Sequence, residues 1–246
     1  MNRILIEPAA VADGGRVVLA GRRARHVIGV LRAAVGDELR VGLVDGPRGR
    51  GRVLGLGQGT VELECAFEAA APARPRVDLL LALPRPKVLG RLWAPLASLG
   101  LGRVALTNAW RVERNYFDSH QVSERGWRPR LIAGLEQAGD TRLPAVSVHK
   151  RLVVLVEDEL ERLFGRGRRL LADPGRGQRV GRALRPAPAA GERVLLAVGP
   201  EGGWIDRERE LLQRVGFQTV QAGPRVLSTE VACCVLLGLV HEALAL

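Results

Sequence analysis

The chain reads Ala197-Val198-Gly199-Pro200-Glu201-Gly202-Gly203 and, further on, Ala222-Gly223-Pro224-Arg225-Val226-Leu227-Ser228-Thr229-Glu230. Each of these glycine-proline turns follows a short apolar run typical of a buried strand and precedes a helical pattern. Glycine permits close approach of the backbone to a ligand, and proline fixes the turn. Two strand–turn–helix units of this kind predict a ligand site built largely from backbone groups.

The rest of the chain from Val77 onward alternates apolar runs with helical patterns. The predicted strands cover 77–83, 103–107, 146–148, 169–172, 194–198 and 219–220, and the predicted helices cover 87–99, 126–138, 152–164, 206–215 and 229–244. Such alternation is typical of an α/β domain with a parallel sheet. The segment 173–190 is rich in glycine, proline and arginine, so we expect a loop there.

The first part of the chain has a different pattern. Short strands are predicted over 17–19, 38–41 and 60–64, with one helix over 22–31, which together suggest a small β-barrel. Residues 71–76 contain proline and lack periodicity, so we predict a linker there. The expected domains are therefore 1–70 and 77–246.

The formal net charge of +11 favours a polyanionic partner, RNA or DNA before a membrane. Nearly all of the basic residues are arginines, and lysine occurs only at Lys87 and Lys150. A bias in base composition can raise the arginine content, but it does not force arginine to outnumber the acids. We therefore expect a nucleic-acid-binding protein.

Metal sites and membrane segments are not predicted. The three cysteines, Cys65, Cys233 and Cys234, and the four histidines do not have metal-ligand spacings. The apolar stretch from Val231 to Val240 is too short to span a bilayer, and the beginning of the chain does not have a signal-peptide pattern. We expect a cytoplasmic protein without a metal cofactor.

Both turns resemble the RsmE family of 16S rRNA (uracil-N3)-methyltransferases, which belong to the SPOUT class. Neither turn has the glycine pattern of a dinucleotide-binding loop or the lysine of a P-loop, so nucleotide hydrolysis is not predicted. The resemblance extends along nearly the whole chain, in order, through His26-Val27-Ile28-Gly29-Val30-Leu31-Arg32, Gly36-Asp37, Lys87, Ser98-Leu99-Gly100, and Glu136-Gln137 with Pro144.

This resemblance implies a C-terminal parallel-sheet domain tied in a trefoil knot and a smaller N-terminal PUA-like β-barrel. It implies S-adenosylmethionine as the cofactor and 16S rRNA, free or within the 30S subunit, as the substrate. It also implies a homodimer that forms through the C-terminal domain. The cofactor-binding residues implied by the resemblance are Val198, Gly199, Pro200, Glu201, Gly202, Gly203, Ala222, Gly223, Val226, Leu227, Ser228 and Thr229.

Methylation of uridine N3 requires loss of a proton, which a base or a cation that stabilises the uridinate would promote. Arg225 is the candidate cation because a planar guanidinium can bind a uracil carbonyl or a phosphate. Glu201 and Glu230 are candidate bases. The alternative for both glutamates is a purely structural role as favourable charges near helix N-termini.

The candidate RNA contacts in the first domain are basic. They are Arg22, Arg23, Arg25, His26 and Arg32. The alternatives are a solvated charged face for the arginines and a core or capping role for His26. The four tryptophans are expected to pack in the core, except that Trp204 directly follows the first turn and is a candidate wall of the ligand site.

Several positions depart from the family pattern, and two of them bear on the substrate. Ser228 occupies a position where the family usually has arginine, and Asp140 lies where arginine is common. These departures leave two alternatives open. One is a SPOUT methyltransferase acting on another rRNA uridine or a tRNA uridine, and the other is a non-catalytic RNA-binding assembly factor.

Overall fold

The computed structural model describes residues 3–245, which form a mixed α/β fold in two compact units. The first unit comprises Met1–Arg74 with Ile132–Leu143, and the second comprises Pro75–Leu131 with Pro144–Leu246. The sequence prediction assigned 77–246 to one continuous domain, whereas in the structure Ile132–Leu143 belongs to the first unit. Long-range hydrogen bonds hold that segment in the first unit, including one from the Leu5 amide to the Glu136 carboxylate.

The sheet of the first unit has five strands in the order β1-β3-β4-β5-β2. These strands are β1 (Ile4–Ile6), β2 (Arg16–Ala20), β3 (Glu38–Leu43), β4 (Arg48–Leu56) and β5 (Thr60–Phe67). β1 runs parallel to β3, and the other neighbours are antiparallel. The predictions over 17–19, 38–41 and 60–64 are confirmed by β2, β3 and β5, whereas β1 and β4 were not predicted.

One helical segment accompanies this sheet, as predicted over 22–31. It consists of α1 (Gly21–His26) followed by a π-helical turn over Val27–Leu31. Ala24 and Val27 are buried in the same core as the inward-facing residues of the strands. The segment ends at Arg32, which adopts the left-handed conformation with a φ of 52°.

The sheet of the second unit has seven strands in the order β10-β12-β9-β11-β6-β7-β8, all parallel. These strands are β6 (Val77–Ala82), β7 (Arg103–Thr107), β8 (Ala145–His149), β9 (Gly167–Ala172), β10 (Gln178–Arg179), β11 (Arg193–Val198) and β12 (Phe217–Gln221). Every residue of the interior strand β6 is buried, as its continuous apolar run predicts.

The remaining helices are α2 (Pro86–Ser98), α3 (Glu124–Ala138), α4 (Leu152–Val154), α5 (Leu160–Phe164), α6 (Val180–Ala183), α7 (Asp206–Arg214) and α8 (Thr229–Ala245). A π-helical turn over Leu155–Glu159 joins α4 to α5. The prediction of a loop over 173–190 is wrong in part, because β10 and α6 lie within it. Among residues 3–245, no helix is long and apolar enough to span a bilayer.

The strand order of the second unit reverses direction at β9. After β9 the chain forms β10 at the edge of the sheet and then passes through α6 to β11 on the other side of β9. It then passes through α7 to β12, which lies between β9 and β10. The loops that leave β12, β9 and β11 are therefore neighbours at the carboxyl edge of the sheet. In open parallel sheets, a reversal of this kind opens a crevice where ligands bind.

Candidate functional site

A cavity of about 320 Å³ lies at this reversal, within the second unit. Its walls are the loops that follow β9, β11 and β12, together with Arg111 and the beginning of α8. Volumes of this size are typical of small-molecule sites. From the predicted cofactor-binding set, the cavity wall includes Val198, Gly199, Pro200, Glu201, Gly202, Gly203, Ala222, Gly223, Val226, Leu227 and Thr229. Ser228 is the one predicted member that does not line it.

The first glycine-proline turn is tightly packed against its neighbours. A Cβ at Gly199 would lie 3.1 Å from the indole of Trp204, and one at Gly202 would lie 2.7 Å from the Arg111 side chain. Gly203 has a φ of 74°, a conformation that favours glycine. The Arg111 guanidinium also donates a hydrogen bond to the Gly202 carbonyl. These contacts explain why three glycines occur in this turn.

The second turn is more open. A Cβ at Gly223 would meet nothing within 4 Å, so the space beside this glycine belongs to the cavity. Val226 is 81% exposed although it lines the cavity, and Thr229 at the start of α8 is buried. The turn therefore presents a glycine backbone and an uncovered apolar side chain to a ligand.

The third wall was missed by the sequence analysis. It consists of Ala172, the last residue of β9, and of Asp173 and Pro174, which directly follow it. Asp173 is buried, and its Oδ2 atom lacks a hydrogen-bond partner in the described structure, although Arg209 lies 3.6 Å away. The signal available in the sequence was an aspartate at the end of a predicted strand, but only the strand order places it between the two turns.

Trp204 forms part of the same cavity, as the sequence indicated. Its side chain is buried, and its Nε1 atom is without a hydrogen-bond partner among the described residues. An indole N–H that is buried usually finds an acceptor. The Asp173 Oδ2 atom likewise lacks a hydrogen bond, but it lies 3.6 Å from Arg209 and 3.8 Å from Arg176, so the cavity wall contains one buried donor without an acceptor and one buried carboxylate held by ion pairs.

The three candidate catalytic residues occupy different environments. Arg225 lines the cavity and is exposed. Glu201 also lines it, and its carboxylate accepts a hydrogen bond from the Arg85 amide at 3.0 Å. Glu230 is not part of the cavity wall. Its carboxylate pairs with Arg91 at 2.7 Å, and the hydrogen bonds from this guanidinium lower the pKa of Glu230.

The candidate RNA contacts all lie in the first unit. Arg22 and Arg23 lie 2.8 and 3.7 Å from the buried carboxylate of Glu136. Arg25 and Arg32 are exposed. His26 is half-buried, and its Nε2 atom has no hydrogen-bond partner in the described structure. Two of the five basic side chains are thus held by an internal acid.

The expected packing role holds for Trp93, which is buried; Trp204, the expected exception, is buried as well and lines the cavity. Trp127 is half-buried, with its ring centroid 6.4 Å from that of Trp93. The expectation is wrong for Trp110, which is 79% exposed because the loop after β7 turns it outward. Within residues 3–245, no group of three or more histidine, cysteine and acidic side chains is arranged to hold a metal ion.

Comparison with known proteins gives a consistent result along the whole chain. Residues 72–241 match the model of the RNA methyltransferase domain family. Ribosomal RNA small subunit methyltransferase E of Treponema pallidum is 31% identical over 95% of this chain and 88% of that protein. The protein of the same name from Synechocystis is 28% identical over 98% of this chain and 78% of its own length.

The fold agrees with a solved structure. The crystal structure of ribosomal RNA small subunit methyltransferase E from Neisseria gonorrhoeae, bound to S-adenosyl methionine, superposes with a TM-score of 0.77. It covers 98% of this chain and 97% of that one at 21% identity. The match of the family model and the identity to the Treponema protein lead to one conclusion: this chain belongs to the RNA methyltransferase domain family, among the ribosomal RNA small subunit methyltransferases E.

Proposed function

We propose that this chain transfers a methyl group from S-adenosylmethionine to N3 of a uridine in the 16S rRNA of the small ribosomal subunit. The observation that carries the proposal is the cavity at the strand reversal, enclosed by the loops after β9, β11 and β12. The relatives of this chain are named as small-subunit rRNA methyltransferases, and the neisserial protein was crystallised with S-adenosyl methionine. A ribosomal substrate of this kind implies a cytoplasmic protein.

The cavity wall suits this cofactor. Adenine needs an apolar slot, which Val198, Leu227 and Leu236 supply. The ribose hydroxyls and the amino group need acceptors, which the backbone carbonyls of the turns and the Asp173 carboxylate would provide. The Trp204 indole N–H offers a donor for the cofactor carboxylate or for a ring nitrogen. The open space beside Gly223 lets a ligand approach the backbone.

S-adenosylmethionine supplies an electrophilic methyl group, and the task of the protein is to position the nucleophile and remove its proton. Arg225 is exposed on the cavity wall, where its guanidinium would bind a uracil carbonyl and stabilise the negative charge of the uridinate. Glu201, on the opposite turn, would accept the N3 proton. Glu230 is a weaker candidate for the base because Arg91 occupies its carboxylate.

The proposal includes the finer features of the fold. We assign a PUA-like, RNA-binding fold to residues 1–70, a linker to 71–76 and a trefoil-knotted SPOUT domain to 77–246, with Ile132–Leu143 packing in the first unit. The position of β11 between β6 and β9 supports the knot, since the chain re-enters the sheet between strands already placed. Among the five candidate RNA contacts of the first unit, Arg25 and Arg32 are exposed and would contact phosphates without first breaking an ion pair with Glu136.

A homodimer through the second unit is also part of the proposal. Val231 and Val235, one turn apart on α8, are 46% and 40% exposed, and they give the helix an uncovered apolar strip. A second copy of the same helix would bury it. Sedimentation of the wild type as a dimer, and of Val231→Glu/Val235→Glu as a folded monomer, would support this assembly. A wild type that is monomeric at micromolar concentration would contradict it.

The decisive experiment measures methyl transfer from labelled S-adenosylmethionine to small subunits that lack the modification. Free 16S rRNA and tRNA serve as parallel substrates, and mass spectrometry identifies the product nucleoside. We expect 3-methyluridine at one position in the subunit. Transfer to tRNA or to another base would identify a different substrate. Cofactor binding without any transfer would favour the assembly-factor alternative.

A further inference from the structure

A second depression lies beside the cofactor cavity in the second unit, with a volume of about 730 Å³. Its most conspicuous residue is Trp110, which follows β7 and is 79% exposed. An exposed indole within a depression offers a large flat face to a ligand. We call the depression the Trp110 patch, and its basic members are Arg114, Lys150, Arg151, Arg207 and Arg214.

The Trp110 patch is mostly positively charged. All five basic side chains are exposed, and in the described part of the chain none of them forms an ion pair with an acid. Two acids line the depression. Glu157 is exposed on the rim, and Glu208 is buried with its carboxylate bonded to backbone amides. Unpaired cations around a free aromatic face are the elements of a single-stranded nucleic-acid site.

The backbone that carries Trp110 is fixed. One oxygen of the Glu208 carboxylate accepts a hydrogen bond from the Trp110 amide at 2.7 Å, and the other accepts one from the Ile205 amide at 3.0 Å. The buried carboxylate thus joins the loop after β7 to the start of α7. A ring held on a rigid backbone loses little entropy when a base stacks on it.

The Trp110 patch and the cofactor cavity share a wall. Trp110 lines the patch, and the next residue, Arg111, lines the cavity and binds the Gly202 carbonyl. On the other side of the wall, Ile205 lines the patch and Trp204 lines the cavity. An RNA strand bound in the patch is therefore adjacent to the place where a nucleotide would be methylated.

We propose that Trp110 stacks on an unpaired base of single-stranded RNA that flanks the target nucleotide, while the five cations of the Trp110 patch bind its phosphates. This inference rests on the proposed function and deepens it, because it requires the substrate to be unpaired beside the methylated position. A base in a duplex is already stacked and cannot offer its face to the indole.

Intrinsic fluorescence tests the proposal on the full-length protein. The exposed indole of Trp110 should be quenched when single-stranded oligouridylate binds, whereas a duplex of the same length should quench it little. In Trp110→Phe the quenching should vanish while binding, followed by anisotropy of labelled RNA, stays close to wild type, since phenylalanine also stacks. In Trp110→Ala the Kd should rise roughly 5- to 150-fold, as expected for the loss of one stacked base.

The salt dependence of RNA binding tests the role of the five cations of the Trp110 patch separately. Arg207→Ala/Arg214→Ala should reduce the slope of log K against log salt by about 0.7 for each phosphate that the variant no longer binds. The matched control is Arg125→Ala, an exposed arginine on α3 in the second unit and outside the Trp110 patch, which should leave oligouridylate quenching of Trp110 unchanged.

Failure of this proposal is distinguishable from failure of the proposed function. Wild-type methyl transfer together with unaltered RNA binding by Trp110→Ala would overturn the stacking role and leave the function intact. Equal quenching by the duplex would overturn the requirement for an unpaired base. Conversion of a dimer to a monomer by Trp110→Ala, without any change in RNA affinity, would reassign the patch to a protein interface.

Discussion

Glu208 and Trp110, far apart in sequence, are joined by a hydrogen bond of 2.7 Å from the Trp110 amide to the buried Glu208 carboxylate. The same carboxylate binds the Ile205 amide at the N-terminus of α7. Ile205 occupies the N-cap position, but its side chain cannot accept a hydrogen bond. Glu208 therefore satisfies one helix-terminal amide and one loop amide, and it positions the wall between the Trp110 patch and the cavity at the strand reversal.

Replacement of Glu208 by alanine should destabilise the second unit. Both amides would lose a charged acceptor, and we expect the free energy of unfolding to fall by about 2 kcal/mol or more. Chemical denaturation measures this change. The control is Glu210→Ala on the same helix, where the side chain is exposed and the loss should be within about 0.5 kcal/mol. Equal losses in both variants would show that helix charge, and not the two hydrogen bonds, matters.

The glycines of the two turns allow the ligand site to be tested without altering charge. Gly223→Ala should fold with wild-type stability, since the added Cβ meets nothing within 4 Å. We nevertheless expect weaker binding of S-adenosylmethionine in calorimetric titrations, because the methyl group occupies cavity space. Gly181→Ala in α6 is the control, as its Cβ is also unobstructed and it lies outside this cavity. Wild-type cofactor affinity in Gly223→Ala would place the cofactor elsewhere.

Much of this site could be predicted from the sequence, and the missing part has a physical reason. The turns at Gly199 and Gly223 carry local signals, since apolar runs, glycine and proline act over a few residues. Asp173 was missed because its position depends on β9 lying between β11 and β12, and strand order is set by contacts between distant segments. Trp110 was assigned to the core because composition favours burial of tryptophan, whereas its exposure depends on the path of one loop.

In the first unit, too, the elements with local sequence signals were predicted and those that depend on contacts between distant segments were not. The alternating strands β2 and β5 were predicted, because every second residue is apolar and buried. β4 was missed because glycines at 49, 51 and 55 interrupt its apolar pattern. The structure explains two of these glycines. A Cβ at Gly49 would overlap the Ala66 carbonyl oxygen, and one at Gly51 would lie 3.1 Å from Val41 and 3.2 Å from the sulfur of Cys65. Such close cross-strand packing is not visible in a single strand.

The two candidate bases can be separated by matched substitutions. Glu230→Gln should retain methyl transfer close to the wild-type rate, because the glutamate lies outside the cavity wall and its carboxylate is bound to Arg91. Glu201→Gln should lower kcat by about 10²-fold or more if its carboxylate accepts the N3 proton. Single-turnover methyl transfer to the small subunit measures both. The reverse order of effects would assign the base to Glu230.

The buried pair of Asp78 and Arg193 links β6 to β11 with two hydrogen bonds of 2.6 and 2.7 Å. Arg193→Ala would leave the Asp78 carboxylate without its partner, and we expect a loss of about 3 kcal/mol in unfolding free energy at neutral pH. Removing one partner of a buried ion pair usually costs about 3–5 kcal/mol. We expect the lower end of that range because a third of the Arg193 side chain is exposed, so water can partly replace it.

This loss should depend on pH in a defined direction. Burial raises the pKa of Asp78, and Arg193 opposes that effect, so removal of Arg193 should raise the pKa further. The native state then binds a proton that the unfolded state, with a pKa of about 3.9, has released. The destabilisation should therefore shrink as the pH falls from 7 towards 4. Asp78→Asn/Arg193→Ala should remove this pH dependence, and its persistence in the double variant would implicate another group.

Arg225 gives the most direct test of the proposed chemistry. It is exposed on the cavity wall, so Arg225→Ala should retain the wild-type melting temperature. We expect kcat to fall by about 10²-fold or more, since the guanidinium would stabilise charge that develops on the uracil only as the proton leaves. Arg225→Lys keeps the charge but loses the planar fork, so it should recover only part of the rate. Arg179→Ala, at an exposed arginine outside the cavity, is the control. A change confined to KM would instead make Arg225 a contact for RNA phosphate, because an interaction formed equally in the ground state and the transition state does not alter kcat.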